Sequence, residues 1–358
     1  MSAASVVEPV TTFRLPPERE AHEPPEARGL RRDGVRLLVA RPDRVSHHRF
    51  RDLAEHLEPG DVLVVNTSAT LPAALDAVRP VPAAAGSGGR PVVVHVGGEL
   101  DDGRWVVEAR RVDGTGPERD VVPGEVLRLA DGMRLTIEDS YPSGGRAASR
   151  LWAATPAVPG ERTAYLGRHG RPVSYGYLRD RQPLTEYGTL FSREPGSAEM
   201  PSAARPFTAD VLVDVVARGV VVAPVVLHCG LSSPDAGEPP APERFTVSAV
   251  TARLVSDAVA GGRRVVAVGT TAVRALESAA GPDGRVVPAA GWTDLVVDRT
   301  RPTHVVGGLV TGWHAPRASH LSLLEAVAGP DLVRTAYEAA LAQGYLWHEF
   351  GDSCLFLP

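Results

Sequence analysis

The chain contains no lysine, so all 38 of its basic residues are arginine. That absence excludes lysine Schiff-base chemistry, a phosphate-loop lysine and a serine–lysine dyad. Cysteine is scarce as well, with only Cys229 and Cys354. Two thiols cannot build a disulfide framework or a cysteine-rich structural zinc site, which takes four ligands usually spaced as close pairs, and this usage fits a reducing compartment. Asn66 is the single asparagine. No apolar run approaches the roughly 20 residues of a membrane span. The N-terminal MSAASVVEPVTTFRLPPERE also lacks the basic-then-apolar order of a secretion signal. The expectation is a cytoplasmic protein with no membrane partner.

What remains is the material of a folded enzyme-sized chain. At 358 residues it exceeds one ordinary domain of about 100 to 200 residues and suits two. Hydrophobic residues make up 43% and charged residues 23%, which is enough apolar side chain for a sizeable core and excludes wholesale disorder. A net charge of −5 gives no support for broad coating of nucleic acid, although local arginine clusters can hold a phosphate backbone.

Residues 1–34 are rich in Pro, Glu and Arg and read as an irregular segment laid over a larger body. Then VRLLVA (35–40) and DVLVVN (61–66) read as buried strands, with RFRDLAEHLEPGD between them as a helix ending at Pro59-Gly60. From Leu71 to Ala157 the texture changes to short alternating stretches separated by Gly, Pro and Asp turns, the signature of a small antiparallel barrel or sandwich. AAAGSGG (83–89) reads as a loop without functional signal. Beyond Tyr165 strands and helices alternate again, with helices at 208–218 and 247–258 and a last one from Pro330 to a Gly344 stop. The expected architecture is a mainly parallel-sheet α/β domain, residues 1–70 and 158–358, interrupted by a small antiparallel β-barrel at 71–157.

Three segments can carry chemistry. In VVAVGTTAVRALESA (265–279) a buried strand runs through Gly269-Thr270-Thr271 into a helix. Thr270 is the expected N-cap, the free N–H groups there suit an anionic or polar ligand group, and Arg274 and Glu277 share one helix face. Plain capping beside a surface pair explains the same residues. LVTGWHAPRASH (309–320) delivers Thr311, Trp313, His314, Arg317 and His320 into a loop leaving a strand, where parallel sheets bind ligands; Trp313 in the core and a satisfied His314 is the competing reading. YLWHEFGDSCLFLP (345–358) sets Asp352 in a turn after closely spaced aromatics, either a core plug or a carboxylate at a site rim. PVSYG (172–176) falls short of a nucleophile elbow, because Pro172 stands first and no apolar strand precedes it. His228-Cys229 closes a strong strand without metal-partner spacing.

In order along the chain, FRLPPE (13–18), RLLV (36–39), HRFRDLAEHLEPGDVLVVN (48–66), VGTTAVRALES (268–278), LVTGWHAPRASHLSLLEAVAG (309–329) and YLWHEFGD (345–352) resemble the S-adenosylmethionine:tRNA ribosyltransferase-isomerase family of queuosine biosynthesis. The resemblance spans nearly the whole chain and implies an α/β domain interrupted by a small barrel. It also implies the reaction. The ribosyl part of S-adenosylmethionine moves onto the aminomethyl group of 7-aminomethyl-7-deazaguanine in tRNA and isomerises to an epoxycyclopentanediol, with release of adenine and methionine. S-adenosylmethionine is the substrate, tRNA the implied partner, and no metal or redox cofactor is implied.

On that basis His314, His228 and Asp352 are the candidates for catalysis, and Gly269, Thr270, Thr271, Arg274, Glu277, Thr311, Trp313, Ser197 and Asn66 for substrate binding. No metal ligand and no oligomeric state are assigned. Thr270, Thr271 and Arg274 suit the methionine carboxylate or ribose hydroxyls, and Trp313 the sulfonium. The chain departs from the family pattern at several motifs: Asn66-Thr67-Ser68-Ala69 stands for Asn-Asp-Thr-Arg, and Pro206 for a histidine. Two other readings therefore stay open, a paralogue with a different, small acceptor and a non-catalytic binding protein on the same scaffold.

Overall fold

The computed structural model describes residues 7–80, 89–142, 150–157, 162–232 and 237–358. Most of the 83–89 loop lies outside them. Among the described residues, nine strands form one sheet in the spatial order Ala289–Thr293, Glu243–Val247, Val221–Leu227, Val62–Asn66, Val265–Val268, Gly308–Gly312, Ser353–Phe356, Arg36–Arg41 and Arg44–Arg49. The four strands from Val221–Leu227 to Gly308–Gly312 run parallel, and the flanks are mixed. The α/β class is as expected, with the parallel strands gathered at the centre of the sheet.

The physical cause of the centre is the alternation in its runs of Val, Leu and Ala. Val62, Val64, Val265 and Ala267 point into one apolar layer, while Leu63, Val65, Val266 and Val268 point into the other. Side chains alternate across a strand, so a strand buried on both faces must be apolar at every position. The first layer is covered by the helices Ala249–Ala260, Thr270–Ala279, Ser319–Ala328 and Pro330–Gln343, the second by Ala209–Ala217 and a 3-10 helix at Phe50–His56. Thr208 and Ser248 cap their helices by accepting from the Val211 and Thr251 N–H groups. Gly344 ends the last one in the left-handed region.

Six strands between Ala74 and Pro156 close into an antiparallel barrel around Trp105, Leu127, Leu135 and Ile137. Ser68–Thr70, leaving the central sheet strand, pairs in parallel with Glu194–Ser197. That small sheet ties the point where the chain enters the barrel to the segment after it. Among the described residues no helix is long and apolar enough to cross a membrane.

Candidate functional site

The carboxyl ends of the central parallel strands open onto a cavity of about 470 Å³, within the roughly 300–1,000 Å³ of small-molecule sites. Its lining includes Gly269-Thr270-Thr271, residues from Thr311 to His320, and His348-Glu349. Tyr175, Tyr177, the Ala198–Ala203 segment and Cys229–Ser232 also line it. Gly269 has φ 89°, a left-handed backbone that favours glycine, and its N–H bonds the Val310 carbonyl at 2.8 Å. That kink starts the helix directly at the cavity wall. Gly269, not Thr270, is the N-cap, and Thr270 is the first helical residue. The first N–H groups of a helix have no intrahelical partner, which leaves this end suited to an anionic ligand group.

The polar groups of the cavity are arranged in pairs. Glu199 accepts hydrogen bonds from the Tyr175 hydroxyl, from the Ser232 N–H (2.8 Å) and from the Ser232 hydroxyl (2.6 Å). Glu349 accepts from the Tyr177 hydroxyl. Burial, reinforced by the nearby charge of Glu199, pushes the Glu349 carboxyl up to about 7. Tyr177 stacks on His348 at 4.0 Å between ring centroids, and the His348 Nε2 lies 3.2 Å from Glu20. His314 and His320 stack face to face at 4.5 Å. Burial lowers the basicity of both, His320 to about 4, with Arg274 adding to the effect on His320. Both rings are therefore neutral at pH 7. The Thr311 hydroxyl donates to the Gly312 carbonyl and lies 3.0 Å from the His314 Nε2.

The sequence model of a family described as queuosine biosynthesis protein matches residues 10–356. The chain belongs to that family. A Symbiobacterium thermophilum protein named S-adenosylmethionine:tRNA ribosyltransferase-isomerase is 35% identical over 96% of this chain and 98% of its own length. A Thermus thermophilus protein of the same name is 36% identical, again over 96% and 98%. The crystal structure of the S-adenosylmethionine tRNA ribosyltransferase from Thermotoga maritima superposes with a TM-score of 0.51 at 28% identity, covering 97% of this chain and 99% of that one.

Within this queuosine-biosynthesis fold, the residues singled out in the sequence fall into two groups. Gly269, Thr270, Thr271, Arg274, Thr311, Trp313 and His314 all border the cavity. Two of these, however, are structural in character. Trp313 is only 2% exposed and packs 4.9 Å from Tyr337 and 5.4 Å from Trp347, so it serves the aromatic core beneath the cavity. Arg274 pairs with Glu243 and donates to the carbonyls of Leu295 (3.0 Å) and Thr293 (3.2 Å), so its guanidinium is not a free carboxylate clamp.

The second group lies off the cavity. Glu277 is buried and accepts from the N–H groups of His304 (2.7 Å), Val305 (3.0 Å) and Val306 (3.1 Å), anchoring the loop before strand Gly308–Gly312. It is not a surface partner of Arg274 and does not border the cavity. Replacing Glu277 by Ala is expected to cost about 3 kcal/mol of unfolding free energy, from buried N–H groups left without acceptors. Gln, which keeps one carbonyl oxygen, is expected to cost less; denaturant unfolding of the two variants checks this. Asp352 accepts from the N–H groups of Arg36 (2.7 Å) and Leu346 (2.9 Å) and closes its own turn. Asn66 donates to the Leu227 carbonyl and the Thr271 hydroxyl and accepts from the N–H groups of Ser68 and Leu227.

His228 borders a second cavity of about 60 Å³ between barrel and sheet, with Arg162, Arg244 and Trp292. Its Nδ1 lies 2.7 Å from the Ser68 hydroxyl, which lies 2.6 Å from that of Ser197. Burial, then Arg162 and Arg244, lower it to about 4. A Cβ at Gly196 would meet the His228 ring at 2.3 Å, so this approach requires glycine. Ser197 also accepts from the Cys229 N–H at 2.9 Å and is an internal tie. Among the described residues no group of three or more His, Cys, Asp and Glu is arranged to hold a metal ion.

The sequence reading missed Tyr175, Tyr177, Glu199, His348 and Glu349. Tyr175 stands inside the failed nucleophile elbow and Tyr177 just beyond it. His348 and Glu349 stand inside the YLWHEFGD motif, from which only Asp352 was taken.

Proposed function

We propose that this chain is a ribosyltransferase-isomerase that takes S-adenosylmethionine as substrate and tRNA as acceptor, releasing adenine and methionine. The observation that carries the reading is convergence: VGTTAVRALES, LVTGWHAPRASH and YLWHEFGD, distant in sequence, meet at one cavity. In this reading the barrel segment 71–157 is an insertion into the α/β domain of residues 1–70 and 158–358, and the protein works in the cytoplasm, where tRNA is.

The chemistry needs few groups. The sulfonium acidifies the adjoining ribose methylene, so a positioned base can take a proton. Ring opening expels adenine, and the aminomethyl group of 7-aminomethyl-7-deazaguanine attacks the anomeric carbon, held in place by binding. The charged sulfonium supplies the activation, and no further cofactor enters the proposal. Thr270 and Thr271 at the helix start suit the methionine carboxylate, and the neutral His314 suits a polar group of the nucleoside.

Purified protein incubated with S-adenosylmethionine, with and without tRNA carrying the deazaguanine base, is expected to release adenine and methionine in equal amounts only with the tRNA. The rate at limiting tRNA is expected to fall steeply with salt. Release that ignores the tRNA, with little salt dependence, would move the reading to a small acceptor. Binding of S-adenosylmethionine without any release would leave a binding protein.

A further inference from the structure

Several groups in the 470 Å³ cavity can in principle accept a proton, and their partners separate them. Glu199 already accepts three hydrogen bonds, each of which favours the anion and weakens it as a base. Glu243 is held by Arg274 and by the Gly230 N–H at 2.7 Å. His314, His320 and His348 are all made less basic by burial. Glu349 has a different setting, with the Tyr177 hydroxyl on its Oε2 and the charge of Glu199 near enough to raise its proton affinity.

The backbone adds an independent observation. His348 has φ 74°, a left-handed conformation that is uncommon outside glycine and strained. The turn puts His348 and Glu349, consecutive in the chain, together on the cavity wall. The Tyr177 ring that orients the carboxylate is itself fixed, stacked on His348, with its backbone carbonyl 2.6 Å from the His22 Nδ1.

We propose that Glu349 is the general base of the reaction, with Tyr177 as its positioning residue. The inference rests on the ribosyl-transfer reading above. In the step assigned to it, the C–H bond of the ribose methylene next to sulfur breaks. The proton passes to the Glu349 carboxylate, and the electron pair stays on the carbon, stabilised by the sulfonium. A base working near neutral pH matches a carboxyl raised toward 7, since it is then both ionised and strong enough to take the proton.

The test compares native protein, Glu349→Gln and Tyr177→Phe in tRNA-dependent adenine release across pH 5.5 to 8.5, with S-adenosylmethionine binding measured separately. Glu349→Gln is expected to bind S-adenosylmethionine within about threefold of native and to lose about 10²- to 10⁴-fold in rate. Tyr177→Phe removes a donor that favours the anion, so the acid limb of its pH–rate profile is expected to move to higher pH. A structural role would lower the rate without moving the limb. A Glu349→Gln rate within threefold of native overturns the proposal, as does an unmoved acid limb in Tyr177→Phe, which decides the matter if the glutamine variant does not fold. Native protein that binds S-adenosylmethionine but releases no adenine overturns the ribosyl-transfer reading itself.

Discussion

Replacing Arg274 by alanine is expected to lower the unfolding free energy by about 3–5 kcal/mol, an effect on the scaffold before any effect on the ligand. Arg274 is 5% exposed, and its guanidinium joins Glu243 to the carbonyls of Leu295 and Thr293. It thereby ties the helix Thr270–Ala279 to strand Glu243–Val247 and to the end of strand Ala289–Thr293. Alanine leaves a buried carboxylate and carbonyls without their donor. Burial already pushes the Glu243 carboxyl above its ordinary range, and Arg274 is the main charge opposing that. Without it Glu243 is protonated more readily, so the deficit relative to native protein is expected to shrink as pH falls. The double change Arg274→Met with Glu243→Gln removes both charges and is expected to recover most of the loss. Urea unfolding of native protein and the two variants at pH 7 and pH 5 measures all of this. A loss confined to S-adenosylmethionine binding, with stability intact, would return Arg274 to the role of a ligand clamp.

Arg274 also shows why the site was only half legible in the sequence. The turn Gly269-Thr270-Thr271 could be read because a buried strand, a glycine and a helix start are local signals, and their meeting at a cavity follows from the parallel sheet. The partners of Arg274 and Glu277 could not be read. Glu243 lies 31 residues from Arg274, and the N–H groups held by Glu277 lie 27 to 29 residues away. Nothing in the helix pattern distinguishes an arginine or glutamate that faces solvent from one that holds a loop. The Tyr177–Glu349 pair spans 172 residues and could be found only in the fold.

The same division holds for the architecture. The doubly buried runs 62–66 and 265–268 were legible because both faces demand apolar side chains. The edge strand Arg44–Arg49, RVSHHR, was not, since its polar side chains remain partly exposed and show no apolar alternation. The segment Phe50–His56 has an amphipathic helical spacing but winds as a 3-10 helix. The last strand, Ser353–Phe356, runs antiparallel to Gly308–Gly312 and parallel to Arg36–Arg41, a pairing set by the return of the chain from its final helix.

Acidification from pH 7 to 4 is expected to destabilise native protein by about 3 kcal/mol more than a His95→Gln variant. His95 is 3% exposed, on the outward face of a barrel strand whose Val94 and Val96 point into the barrel core, and its Nδ1 has no hydrogen-bond partner among the described residues. Glu108 lies 3.9 Å away, but Arg110 and Arg150 already match its charge. Burial first, then Arg110, Arg171 and Arg150, depress His95 from 6.5 to about 3. Between those values the unfolded chain binds a proton that the folded chain refuses. The stability contributed by neutral His95 is therefore full above pH 6.5 and is lost progressively as pH falls toward 3, at about 1.4 kcal/mol per pH unit. Glutamine stays neutral and polar, so it removes this slope. His56, His228 and His320, each lowered to about 4, act with the same sign in both proteins and cancel in the comparison. Glu349 acts with the opposite sign, because a raised carboxyl favours the folded state as pH falls from 7, and it too is common to both. Urea unfolding at pH 7 and 4 for the two proteins isolates the His95 contribution, and parallel losses would show that its burial is relieved by local opening. The His95 ring lies 6.2 Å from Tyr175, the residue that holds Glu199 at the cavity. The acid-sensitive outer face of the barrel strand and the polar wall of the candidate site are thus in contact, and protonation of the first is expected to loosen the second.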